Sequence, residues 1–160
     1  MKPQAEIASP LRAILWGGLL TGALDITAAF VVYGAMGLPP MRLLQGIASG
    51  LLGRDAFSGG RATALLGFFL EFVIATGAAA TYVVCCRWFR FLIRRPFVAG
   101  PLYGIAVYWV MQLVVLPLSR YVHHSFSLKI AWIGIVIHMV CVGLPIAMVA
   151  RRFAAAGSSA

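Results

Sequence analysis

The sequence predicts an all-α membrane protein of four transmembrane helices, on three observations. Of the 160 residues 62% are apolar and only 11% charged, whereas a soluble domain is about a quarter charged. The apolar residues gather in four stretches, each near the roughly 20 residues that cross a hydrocarbon core. The segments between them are too short to bury a core of their own. One integral membrane domain over residues 1–160 is therefore expected, with no second, soluble domain.

The first span covers about residues 11–33. Its charged approach, MKPQAEIASPLR, resembles the start of a signal peptide, but the apolar run is longer than the core of a cleaved signal, so the span is expected to be retained. Pro39 and Pro40 then open a segment over about residues 40–53, too short in apolar length to cross and too apolar for a free loop. Gly46, Ser49, Gly50 and Gly53 recur there at i, i+3, i+4 and i+7 on one helical face. A short interfacial or re-entrant helix between the first two spans follows. Gly59-Gly60 separates it from the second span, about residues 62–86. The third and fourth spans cover about residues 97–118 and 130–150. Backbone groups in lipid must be satisfied within the segment, which makes all four helical.

Four spans put both termini on one side. That side holds Lys2, Arg12, Arg87, Arg90, Arg94, Arg95, Arg151 and Arg152, against Arg42, Arg54, Arg61, Arg120 and Lys129 on the other. The bias places both termini in the cytoplasm. Most of the net charge of +9 thus lies on the cytoplasmic rim, where Arg87, Arg90, Arg94, Arg95, Arg151 and Arg152 form a patch suited to anionic lipid headgroups. Arginines scattered at span ends, without a groove-reading helix or stacking platform, argue against nucleic acid as a partner. Cys85, Cys86 and Cys141 have no metal-binding spacing and read as small apolar filler rather than redox groups.

The two halves of the chain share features. Gly18-x-x-x-Gly22 in the first span is matched by Gly100-x-x-x-Gly104 in the third, and both spans end at proline. Gly67-Phe-Phe-Leu-Glu71 in the second is matched by Gly134-Ile-Val-Ile-His138 in the fourth. Two tandem helical hairpins and a chance likeness among glycine-rich spans both fit this pattern. Gly18, Gly22, Gly100 and Gly104 are expected at close helix contacts, since small residues one turn apart let backbones approach.

Asp25, Glu71 and His138 stand at mid-membrane depth, where a charge is costly unless paired, neutralised or wetted. Counting about 1.5 Å per residue from each span's centre places these three and Gln112 within roughly 7 Å of the midplane, one polar side chain per helix in a common layer. Thr21, Thr27, Thr76, Tyr108 and Trp109 lie near enough to add hydrogen bonds. The layer is either interhelical hydrogen-bond glue or a proton path. Other chemistry has less support. A bis-histidyl haem needs two axial ligands, and His138 stands alone within the spans. Adjacent His123 and His124, with Asp55, lack a metal-site spacing. Ser9, Ser119, Ser125 and Ser127 sit at span boundaries, away from a base at matched depth. No catalytic residue, metal or cofactor is expected.

The glycine-rich first span, the Pro39-Pro40 turn into a short amphipathic segment, and the GFFLE and GIVIH stretches resemble small four-helix bacterial inner-membrane proteins of the YagU-like type. The resemblance covers most of residues 11–150 and implies a bacterial inner membrane; it carries no activity and no residue role. Proteins of this type often have histidine where Glu71 stands. The first functional reading is a non-enzymatic membrane module, self-associating or an accessory subunit of a larger complex. The rival is a small proton-linked transporter acting as an oligomer, with Asp25, Glu71 and His138 as the path and Gln112 orienting substrate. An intramembrane enzyme has the least support.

Overall fold

A computed structural model describes residue 7, residues 9–121 and residues 127–155. Lys2, His123, His124 and Ser125 lie outside the described residues.

Helix α1 (Pro10–Ala35) opens with proline at its first position, where the missing N–H is not needed. It closes where the Gly37 and Leu38 amides return to Gly34 and Tyr33 at 2.9 Å each, a turn made possible by Gly37 at φ +89°. Helix α2 (Pro40–Leu52) follows at once, again led by proline. Its 13 residues extend only about 20 Å, short of a hydrocarbon core. A 3-10 turn at Gly53–Phe57 leads into α3 (Gly60–Cys85). The one-turn helix α4 (Phe91–Arg94) then joins α3 to α5 (Pro96–Val110).

The last two spans are not uniform α-helices. After α5 comes a π-helical stretch, Met111–Val115, and then α6 (Leu116–Leu118). Helix α7 (Leu128–Ile137) passes through a second π stretch, His138–Gly143, into α8 (Leu144–Ala155). The cause is the same in both. Leu116 and Leu144 bond carbonyls five residues back, at Met111 and Met139, and each is followed by proline, Pro117 or Pro145. Proline has no N–H and clashes with the carbonyl four residues earlier, so widening the preceding turn redistributes the backbone bonds.

Four continuous helical stretches result: Pro10–Ala35, Gly60–Cys85, Pro96–Leu118 and Leu128–Ala154, each long and apolar enough to cross a membrane. Large apolar side chains stand exposed along all of them, among them Leu65 at 70%, Leu113 at 67% and Trp132 at 66%. Such an extensive apolar exterior suits lipid and not water. The chain is an all-α, multi-pass membrane protein.

The first hairpin pairs α1 with α3, and the second pairs α5 with the π stretch and α8. They meet where α1 lies between α3 and α8; a Cβ on Gly17 would touch Ala79 at 3.2 Å and Val149 at 4.0 Å. Small residues keep the backbones close at the arginine-rich end, where Ala13, Ala79, Ala147 and Ala150 are buried around Tyr82 and Ile146. The Tyr82 hydroxyl donates to the Leu92 carbonyl (2.9 Å) and the Tyr103 hydroxyl to the Ala78 carbonyl (2.7 Å). Their rings meet edge to face at 4.9 Å. Each phenol therefore fills space and satisfies a hydroxyl that burial would otherwise strand.

At the opposite end α2 packs on α3 through Gln45, Ala48 and Ser49, all buried. This face is offset from the glycine face read in the sequence: a Cβ on Gly46 would meet nothing within 4 Å, and one on Gly50 would reach only Ser119, at 3.8 Å. The buried Gln45 amide instead donates to the Gly60 carbonyl at 3.1 Å, while Thr63 donates to the Ala56 carbonyl at 2.6 Å. Gly67 of α3 seats the helix, because a Cβ there would run into the Leu44 carbonyl.

Candidate functional site

On α1, Gly18, Thr21, Gly22 and Asp25 recur at i, i+3, i+4 and i+7 and so share one face. That face lies against α3. A Cβ on Gly18 would stand 2.7 Å from the Thr76 Cα, and one on Gly22 would stand 2.8 Å from the Phe72 ring. The close approach brings the half-buried carboxyl of Asp25 beside the half-buried carboxyl of Glu71, close enough for the two to interact. An ionised carboxylate only accepts, so a carboxyl–carboxyl hydrogen bond requires that one member hold a proton.

Two oxygens of this seam are buried without a partner, Asp25 Oδ1 and Thr21 Oγ1, one helical turn apart. Cys141, in the second π stretch, and Tyr33, at the end of α1, lie within electrostatic range of Asp25.

The second group lies between the other two spans. Buried Tyr108 fits over Gly134, whose Cβ would stand 2.7 Å from the ring. Gln112 Nε2 donates to the Tyr108 hydroxyl at 3.0 Å. The His138 ring meets Tyr108 edge to face at 5.5 Å, and its Nδ1 lies 2.9 Å from the Gly134 carbonyl. A carbonyl only accepts, so Nδ1 carries the hydrogen, and in the neutral ring Nε2 is left as an acceptor. The His138 backbone lies against Gly104, where an added Cβ would collide with its carbonyl. Gly100 lies against Leu144 and Gly143, its Cβ site 2.9 Å from the Leu144 Cα.

The layer of four polar side chains is thus divided. Asp25 pairs with Glu71 in the first hairpin, and His138 gathers with Tyr108 and Gln112 in the second. Among the described residues no hydrogen bond or ion pair joins His138 to either acid. Depth in the membrane follows from sequence position, but rotation about each helix axis does not. Tyr33, within electrostatic range of both Asp25 and Tyr108, and Cys141, within range of Asp25 from the stretch that carries His138, link the two groups, and sequence reasoning missed both. Gln45 was also missed, although a glutamine in a short apolar helix is a signal that a buried carbonyl needs a donor.

At the arginine-rich end Arg87, Arg94, Arg95, Arg151 and Arg152 are exposed and Arg90 is half-buried. Cys85, Cys86 and Cys141 are free thiols. Among the described residues no three His, Cys, Asp or Glu side chains gather as a metal site. No family model, curated protein or solved structure matches the chain.

Proposed function

We propose that this chain is a non-enzymatic module of a bacterial cytoplasmic membrane, of the YagU-like type, with both termini in the cytoplasm. It acts as a self-associating protein or an accessory subunit, and its polar layer decides which helices pair. One observation carries this reading: Asp25 of α1 and Glu71 of α3 meet across the first hairpin, while Gln112 and His138 are each bonded within their own span and His138 touches the facing helix through the Tyr108 ring instead of reaching the acids. A polar contact between helices of this kind helps specify partners in a solvent that offers no competing donors. The test is Asp25→Asn with Glu71→Gln, which keeps size and hydrogen bonding but abolishes ionisation. The purified double variant should keep the oligomeric state and thermal midpoint of the parent. A collapse of assembly with these amides in place would reject the packing role.

A second reading, a small proton-linked permease acting as an oligomer, is favoured by the unpartnered Asp25 Oδ1 and Thr21 Oγ1. It requires proton-linked flux in liposomes that the same double variant abolishes while its fold survives.

A further inference from the structure

At the arginine-rich end, the start of α5 and the end of α8 border a shallow groove of about 280 Å³, lined by Pro96, Phe97, Met148, Arg151 and Arg152. Its floor is apolar and open: Phe97 is 65% and Met148 48% exposed. Its mouth is cationic, since both Arg151 and Arg152 are exposed, as are Arg94 and Arg95 just before Pro96. Among the described residues the acids, Asp25, Asp55 and Glu71, all lie in other parts of the fold. Chemistry therefore changes along the groove, from guanidinium forks to the Phe97 ring at the start of α5 and the Met148 thioether one turn back along α8. A soluble anion would satisfy the forks and leave Phe97 and Met148 bare. An acyl chain alone would cover these two and leave the forks unused.

We propose that this groove binds one anionic phospholipid of the adjoining leaflet, its phosphate held by Arg151 and Arg152 and one acyl chain lying along Phe97 and Met148. Paired guanidinium groups suit phosphate because their planar forks bond two oxygens at once. The site rests on the reading of α5 and α8 as parts of membrane spans, and it narrows the six-arginine patch to one groove with its own apolar floor.

Native mass spectrometry of the purified full chain, with equal phosphatidylglycerol and phosphatidylcholine in the detergent micelle, tests it. The parent protein should take phosphatidylglycerol first, with a preference of about fivefold for each arginine engaged. Arg151→Gln with Arg152→Gln should bring the two lipids to parity, whereas Arg54→Gln with Arg61→Gln, at the other end, should leave the preference intact. Phe97→Ala should weaken retention of both lipids. Equal preference in the parent and in the Arg151/Arg152 variant would overturn the proposal. So would displacement of the lipid by millimolar inorganic phosphate, which would assign the arginines to a soluble anion. A chain that stays monomeric in water without detergent would instead overturn the membrane reading itself, a result separable from loss of lipid preference alone.

Discussion

Glu71 shows how one side chain's meaning depends on its neighbour. Alone at this depth a carboxylate would carry a large desolvation cost; beside Asp25 it has a partner with which to share a proton. Glu71→Ala removes the α3 partner of Asp25, whereas Glu71→Gln still offers a donor and an acceptor. We expect the alanine variant to be destabilised by about 1–3 kcal/mol, the range for stranding a buried polar group. The glutamine variant should stay near the parent, and parallel thermal melts in detergent compare the two directly. The Gln112–Tyr108 bond makes a smaller claim. The two residues stand four apart on one span, so in a cycle of Gln112→Leu and Tyr108→Phe the coupling should fall at about 0.2–0.5 kcal/mol, the range for i, i+4 pairs on a helix. A coupling of zero would mean that the bond contributes only shape.

Among the elements, α2 separates what a glycine pattern can and cannot say. Its length and its opening proline were legible, because Pro39-Pro40 cannot continue α1 and 13 residues cannot cross. Its docking face was legible only in part, since Ser49 lies on it but glycines cluster on a helix for more than one reason. The contact falls on Gln45, Ala48 and Ser49, and the glycine that permits it belongs to the other helix, at Gly67. Opposite effects of one substitution follow. Gly46→Ala enters open space and should stabilise α2 by about 0.5–1 kcal/mol through lower backbone entropy. Gly67→Ala drives a methyl group into the Leu44 carbonyl and should lift α2 from α3, exposing the Arg54 bond to trypsin under conditions where the parent resists. The π stretches had a legible cause in Leu116-Pro117 and Leu144-Pro145, yet a proline is compatible with a kink, a π turn or a helix end, so the outcome was not. They occur in the third and fourth spans, whereas α1 and α3 are regular throughout, so the two hairpins share glycine placement without sharing backbone geometry.

Over the whole molecule, what the sequence made legible is what depends on distance along the chain: the number of spans, their ends, and which span carries Asp25, Glu71, Gln112 and His138. What it left open depends on rotation about each helix. Apolar side chains surround every span, so hydrophobic periodicity does not mark an inward face as it does on a soluble amphipathic helix. Sidedness is also a property of the whole chain, since it follows from a sum of charges and not from one residue. Ser58, exposed between α2 and α3, and Arg94, exposed between α3 and α5, lie beyond opposite ends of α3. With Cys85, Cys86 and Cys141 replaced by alanine, a thiol at Ser58→Cys should react with a membrane-impermeant maleimide added to spheroplasts. One at Arg94→Cys should react only after permeabilisation. The reverse pattern would place the arginine-rich end outside and set this chain against the positive-inside rule. Equal labelling of both without permeabilisation would contradict a membrane between them.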